Sequence, residues 1–100
     1  MSPYFPPKQH RKETVTVILT ANRPASIAVW DGVAMQDYTN PNTKVVTSQK
    51  AWVFLPKSAI EVSHKEQDID LGDKTEVEAL VGKEISVTAS ESLLTEKGLI

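Results

Sequence analysis

Residues 51–62 constrain the fold of this chain more than any other segment. They read Ala-Trp-Val-Phe-Leu-Pro-Lys-Ser-Ala-Ile-Glu-Val, an aromatic-rich strand, a proline and a second alternating strand. Pro56 has no N–H to donate, so it ends the hydrogen-bond ladder of the first strand. Short strands that follow one another this closely are typical of a small β-barrel.

The rest of the chain supports a mainly β fold. Valine, isoleucine and threonine account for 26 of the 100 residues, and their stiff side chains favour pleated strands over helices. The alternation of apolar and polar residues predicts six strands, at residues 14–20, 26–30, 44–47, 51–55, 58–62 and 83–89. Residues 33–42 and 63–75 lack this alternation and are predicted to be exposed loops, whereas 76–81 fits either a strand or a helical turn.

A short helix is predicted at the C-terminus. Ser90 can accept from the free N–H groups of a first turn, Glu91 suits the positive helix end, Lys97 suits the negative end, and Gly98 can adopt the left-handed conformation that ends a helix. The predicted fold is therefore a small SH3-like or OB-like barrel with a short C-terminal helix.

The length allows one domain. Residues 1–12 contain three prolines and a basic end without periodicity, which predicts a flexible arm. Residues 13–100 form the predicted barrel domain. The N-terminus lacks the apolar stretch of a signal peptide, and no segment has the roughly 20 apolar residues that cross a bilayer. We therefore expect no membrane partner and a location in the cytoplasm of the cell that makes the protein.

Composition and spacing argue against catalytic and metal-binding chemistry. There are no cysteines, which excludes disulfides, thiolate metal sites and a cysteine nucleophile, and fits a reducing compartment. Residues 68–79 superficially resemble a calcium loop, but Gly72 and Ala79 stand where oxygen ligands are needed. His10 and His64 have no third metal ligand suggested nearby. The sequence predicts no cofactor, no metal and no enzyme activity.

Charge is distributed unevenly along the chain. Residues 1–60 carry a formal charge of +4 and residues 61–100 carry −6, within a net charge of −2. Such a division can orient a molecule against a charged partner, although charge runs also serve simply to solvate a surface. The uneven charge therefore indicates one feature of the surface and does not identify a function.

Two motifs, one in the middle of the chain and one at its C-terminus, carry a resemblance to known proteins. The segment from Trp52 to Glu61 resembles the Trp-x-Pro-Lys-Ser-x-Ile-Glu box of small, poorly characterised proteins encoded by bacteriophages and bacterial mobile elements, with two more residues before the proline. The Lys-Gly-Leu ending at residues 97–99 is similar to theirs as well. The resemblance covers residues 44–62 and 82–100 and implies a compact barrel of a phage accessory protein, without established catalytic residues.

The leading functional hypothesis is a non-enzymatic accessory protein that binds a host or phage protein, in one version as an inhibitor of a nucleic-acid-handling or defence enzyme. Trp52 and Phe54 share one face of their strand and Val53 and Leu55 the other, so one pair is expected in the core and the other on the surface. The candidate partner-binding residues are Trp30, Trp52, Phe54, Lys57, Glu66, Asp68, Asp70 and Asp73.

Two alternatives come from different functional classes. Single-stranded nucleic acid could bind the basic arm and the barrel-face aromatics, since cations with stacking side chains are the usual combination for that ligand; the arm residues concerned are Tyr4, Phe5, Lys8, Arg11 and Lys12. A structural protein of the virion would instead associate with itself through an exposed strand edge.

Overall fold

A computed structural model describes residues 11–100. Strands account for 50% of these residues and helical turns for 16%, which confirms the mainly β class. In chain order the elements are β1 (Lys12–Asn22), β2 (Ser26–Trp30), β3 (Met35–Thr39), β4 (Val46–Lys50), β5 (Val53–Pro56), β6 (Ile60–His64), β7 (Gln67–Ile69), α1 (Lys74–Glu78), β8 (Glu84–Ser90) and α2 (Glu91–Glu96), with a single 3₁₀ turn over Lys57–Ala59 between β5 and β6.

Six strands form one antiparallel sheet in the order β5-β2-β1-β8-β6-β7, and β3 pairs with β4 in a separate hairpin. The long strand β1 lies in the middle and pairs with β2 on one side and β8 on the other. Its alternation is the one predicted: Val17 and Leu19 are buried, whereas Thr14 and Thr16 are exposed. One face of the sheet therefore carries the core, because successive side chains point to opposite faces.

The core is closed on that face by the two short helices. Val77 and Leu80, in and just after α1, and Leu94 of α2 pack into the same buried cluster as the strand residues. The strand residues of this cluster are Val17, Leu19, Ile27, Val29, Leu55, Ile60, Val62, Ile85, Val87 and Ala89. Because the cluster draws on five of the six strands, the whole sheet is stabilised by a single hydrophobic core.

The link between β5 and β6 requires the sheet to curl. The two strands are four positions apart in the sheet, which in a flat sheet is roughly 19 Å at the usual strand spacing. The residues 57–59 that join them can span at most about 14 Å. The sheet is therefore curved, and its edges approach each other near Lys57. Within residues 11–100 no ladder pairs β5 with β7, so the sheet is open and no closed barrel is detected.

The predicted C-terminal helix is confirmed together with its capping residues. The Leu93 N–H donates to Ser90 Oγ at 3.2 Å, and Gly98 has a φ of +76° at the helix end. The Leu99 N–H then donates to the Leu94 carbonyl at 2.8 Å, which folds the chain back on the helix. In residues 11–100, no helix has the length and apolarity needed to cross a membrane.

Two predicted loops are wrong in part. Residues 33–42 include β3, and residues 63–75 include β7 and the start of α1. Every residue of β3 and β4 is exposed, so neither face of that hairpin needs an apolar stripe. The predicted strand at 44–47 overlaps β4, which begins two residues later and extends to Lys50, whereas no alternation marks β3. β7 has three residues, of which Ile69 alone packs against the core. The ambiguous residues 76–81 belong to α1 and the turn that follows it.

Candidate functional site

The hairpin β3–β4 is a continuation of the β2–β5 pair. Val29 is opposite Val53, and Met35 is opposite Lys50. Three residue steps lead from Lys50 to Val53 along β4–β5, whereas six steps lead from Val29 to Met35 along β2–β3. The Ala51 N–H donates to the Ala34 carbonyl at 3.0 Å between them. β4 and β5 thus behave as one long strand, and the partner strand accommodates three extra residues in a bulge.

The side chains of Trp30 and Asp31 hold this bulge in place. Asp31 Oδ1 accepts from the Val33 N–H at 2.8 Å and from the Ala34 N–H at 2.7 Å. The Trp30 indole N–H donates to the Ala34 carbonyl at 2.7 Å, and Gly32 supplies the positive φ of +90°. Trp30, a predicted partner-binding residue, therefore has a structural contact that orients the hairpin.

The Asp31 turn gives the hairpin junction a defined dependence on pH. The hydrogen bond from the Ala34 N–H, and next that from the Val33 N–H, lowers the pKa of Asp31 below its ordinary value of 3.8. A group whose pKa is lowered in the folded state stabilises that state above its ordinary pKa, and the contribution is lost as the pH falls through the folded-state pKa. The junction should therefore loosen only in strong acid.

We expect an NMR titration to show this loosening. The amide signals of Val33 and Ala34 and the indole signal of Trp30 should shift together, with a midpoint below pH 3.8. An Asp31→Asn variant keeps a side-chain acceptor and should lose the transition. A midpoint at or above the ordinary aspartate value would show that the carboxylate does not hold the turn.

Beyond the bulge, the hairpin presents large apolar side chains to solvent. All ten residues of β3 and β4 are exposed, and the large apolar residues of this region are Val33, Met35, Tyr38, Val45 and Val46, the first of them 80% exposed. A two-stranded hairpin without packing is marginally stable in water. This one gains its order from β2–β5, and its apolar surface has no partner within residues 11–100.

Trp52 and Phe54 extend this surface onto the sheet. They are 46% and 44% exposed. The intervening Val53 packs against the core, and Leu55, which follows Phe54, is fully buried. The predicted division of this strand into a core face and a surface face is therefore confirmed. A cleft of ≈ 580 Å³ lies beside the two aromatic rings and is lined by Gln36, Gln49, Lys50, Trp52 and Phe54.

Two cations lie over aromatic rings of this region. The Arg23 guanidinium lies 5.9 Å from the centre of the Phe54 ring, and the Lys50 ammonium lies 4.8 Å from the Trp30 ring. Both distances allow the attraction between a cation and a π face. Lys57, another predicted binding residue, lines a separate pocket of ≈ 370 Å³ with Arg23, Lys74 and Glu78.

The acidic candidates lie elsewhere. Glu66, Asp68, Asp70 and Asp73 belong to β7 and its flanking turns, at the opposite edge of the sheet from β5. Asp70 Oδ1 accepts from the Gly72 N–H at 2.8 Å, and Asp73 Oδ1 from the Glu76 N–H at 3.2 Å at the start of α1. Two of the four thus have local structural contacts, and none of the four lines the cleft beside Trp52 and Phe54. The curl of the sheet does bring Leu71 and Gly72 into one pocket with Arg23 and Lys57.

The residues of the nucleic-acid alternative fall into two groups. Tyr4, Phe5 and Lys8 lie outside the described residues. The Arg11 guanidinium is 3.2 Å from Glu13 and 3.5 Å from Glu91, and the Lys12 ammonium is 3.8 Å from Glu61. Carboxylates therefore offset the charge of both cations, which reduces their attraction for phosphate.

Comparisons with protein families, with curated proteins and with solved structures found no match for this chain. Its own geometry thus carries the functional argument. Among residues 11–100, no three His, Asp or Glu side chains converge in a way that could hold a metal ion. The exposed apolar residues of the hairpin, Met35, Tyr38 and Val46, escaped the sequence analysis. The one sequence signal for the hairpin is Asn40-Pro41-Asn42, which favours a turn, and a turn between two polar segments can join two strands.

Proposed function

We propose that this chain is a non-enzymatic binding protein that recognises another protein through its ribbon surface, defined as the β3–β4 hairpin together with Trp52 and Phe54. The observation that carries the proposal is the exposure of Trp52 and Phe54 beside a cleft, with Met35 and Val46 exposed on the same face of the ribbon. Exposed apolar side chains gathered on one face are costly in water unless a partner covers them. Aromatic residues and methionine are also enriched at protein interfaces.

The biological setting we propose is that of an accessory protein of a bacteriophage or mobile element, acting on a host or phage protein in the cytoplasm of the host cell. The resemblance of the segment from Trp52 to Glu61 supports this setting. The finer fold class that we propose is an SH3-like or OB-like barrel left open between β5 and β7, and the curl imposed by the 57–59 link supports it.

The acidic edge supports a more specific version of the proposal. Exposed carboxylates on and beside β7 would complement the basic groove of a nucleic-acid-handling or defence enzyme and would speed encounter with it. In this version the ribbon surface supplies the contact area and the acidic edge supplies the attraction at a distance. The partner is then inhibited because its nucleic-acid groove is occupied.

Single-stranded nucleic acid is the second candidate ligand, and the contact of Arg23 with Phe54 favours it. Arg23 lies over the exposed Phe54 ring and Lys50 over the half-buried Trp30 ring, and cations beside aromatic rings can bind bases by stacking and phosphates by charge. The net charge of −2 and the ion pairs of Arg11 and Lys12 oppose it. We therefore rank it below a protein partner.

The experiment that tests the proposal is affinity capture from a lysate of phage-infected bacteria, with and without nuclease. The wild-type chain should retain a protein after nuclease treatment, and a Trp52→Ala/Phe54→Ala variant should retain it at least about tenfold less, as expected for aromatic residues central to an interface. Both side chains are exposed, so the variant should fold.

An Ile100→Ala variant is the matched control, because it removes an exposed apolar side chain outside the ribbon surface. Its capture should equal that of the wild type. Equal capture by the double variant would remove Trp52 and Phe54 from the interface. Capture that disappears with nuclease would transfer the proposal to nucleic acid, and a salt-dependent change in anisotropy of labelled single strands would then be its direct measurement.

A further inference from the structure

The outer side of the β4–β5 strand has a regular row of backbone groups. The Ala51 N–H donates to Ala34, the Lys57 N–H donates to Ala25, and the Val45 carbonyl accepts from Asn40. Odd-numbered residues of this strand therefore face their partner strands. In an antiparallel ladder the residues between them point the opposite way, so Val46, Ser48, Lys50, Trp52 and Phe54 direct their N–H and carbonyl groups outward.

This row has no partner in the described part of the chain. β4 pairs with β3 alone and β5 with β2 alone among residues 11–100. Pro56 closes the row at one end because it has no N–H, and the turn at residues 40–43 closes it at the other. A long edge of this kind is a template for pairing with a further strand.

We propose that this edge accepts an extended segment of the partner protein as an added strand, and that the segment alternates apolar residues with Asp or Glu. The proposal rests on the proposed function and specifies how the protein partner is recognised. Main-chain hydrogen bonds to residues 46–54 would supply affinity, and the cleft beside Trp52 and Phe54 would select an apolar side chain. Strand addition with alternate side chains in pockets is an established way to bind a peptide.

Charge identifies the segment as acidic. Residues 41–60 contain Lys44, Lys50 and Lys57 and no Asp or Glu, and Arg23 adds a fourth cation beside Phe54. Asp37 is the nearest carboxylate on the paired strand β3, where it lies opposite Ser48. An added strand with acidic side chains gains attraction along its length, whereas a basic one meets like charges.

A second copy of this chain fits the edge less well. Lys50 lies near the middle of the row, so antiparallel pairing of two identical edges around it places cations opposite cations, which destabilises the pair. A lysine on an edge strand can also serve to block pairing. Here the Lys50 ammonium is 4.8 Å from the Trp30 ring. The side chain therefore lies over β2 and leaves the backbone groups of the edge accessible, while its charge still repels a second lysine placed opposite.

The test begins with a displayed library of linear nonapeptides selected against the full chain. The peptide that binds best is then added to the ¹⁵N-labelled protein, and amide hydrogen exchange is measured by NMR. We expect selected sequences to alternate acidic with β-branched or aromatic residues. We also expect the N–H groups of Ser48, Lys50, Trp52 and Phe54 to exchange at least about tenfold more slowly with peptide, while those of Thr47 and Gln49 change little.

Two variants sharpen the result. Ser48→Pro removes one outward N–H and leaves the inward pairs at Thr47 and Gln49, so it should weaken the selected peptide about fivefold, as expected for the loss of one hydrogen bond. Ser48→Ala keeps the N–H and should bind as the wild type does. If Ser48→Pro disturbs the hairpin itself, the alternating exchange pattern in the wild type still decides whether the peptide pairs with the edge.

Several outcomes would overturn the proposal. The first is a library that yields no binder or only basic or proline-rich peptides, and the second is a selected peptide that binds without protecting the outward amides. Equal weakening of the peptide by both Ser48 variants would overturn it too. So would dimers in sedimentation that protect the same amides. If a peptide binds through Trp52 and Phe54 but does not protect the outward N–H groups from exchange, strand addition is refuted and nothing else is. The proposed function would stand in that case, because its own test is capture of a protein.

Discussion

Replacing Leu55 by alanine is expected to lower the free energy of unfolding by about 3 kcal/mol, which is within the usual range for a leucine lost from a core. Leu55 has no exposed surface and lies in the same buried cluster as Ile27 and Val29 of the neighbouring strand. The loss combines the transfer of the side chain from water with the cavity left behind. Urea unfolding followed by tryptophan fluorescence measures it.

Phe54→Ala is the matched control, since it changes the adjacent residue of the same strand. Phe54 is 44% exposed and points away from the core, so its replacement should cost clearly less than that of Leu55. Equal losses for the two variants would mean that β5 does not have one buried and one exposed face. The assignment of Trp52 and Phe54 to the surface would then be wrong.

The second large effect concerns the hairpin. A variant in which Asn-Gly replaces residues 30–52 should retain the six-stranded sheet and lose binding of the captured partner. The two new residues would connect Val29 to Val53, which already face each other across the β2–β5 ladder, and Asn-Gly suits a two-residue turn closed by such a pair. No residue of 30–52 is buried, so the core should be unaffected.

The fold of this variant is checked separately from its binding. Its midpoint of urea unfolding should stay near that of the wild type, because the excised residues contribute no core contacts. The amide signals of β1 and β8 should also keep their positions in the NMR spectrum. A collapse of the midpoint would show that the ribbon supports the sheet, and loss of binding would then have no bearing on the interface.

The elements that were predicted from sequence are those with one buried face or a capped end. β1 and β8 alternate because the core takes every second residue, and α2 has a serine before it and a glycine after it. β3 and β7 were missed for the opposite reason. Both lie where little is buried, so the ladder hydrogen bonds form them with little help from side-chain packing and leave no pattern in the side chains.

The site was predictable only where one strand defined it. Alternation alone placed Trp52 and Phe54 on one face of β5, and burial of Leu55 decides which face is exposed. The separation of the acidic residues from the aromatics depends instead on the strand order, which joins segments distant in sequence. Local patterns in one chain cannot supply that order, so the candidate list mixed two edges of the sheet.

The most direct measurement of the central claim compares capture by two variants from the same nuclease-treated lysate. One carries Asn-Gly in place of residues 30–52, and the other neutralises the β7 edge through Glu66→Gln, Asp68→Asn, Asp70→Asn and Asp73→Asn. We expect the first to lose the partner and the second to retain it with slower association. Retention by the first and loss by the second would contradict recognition through the ribbon surface and place the interface on the acidic edge.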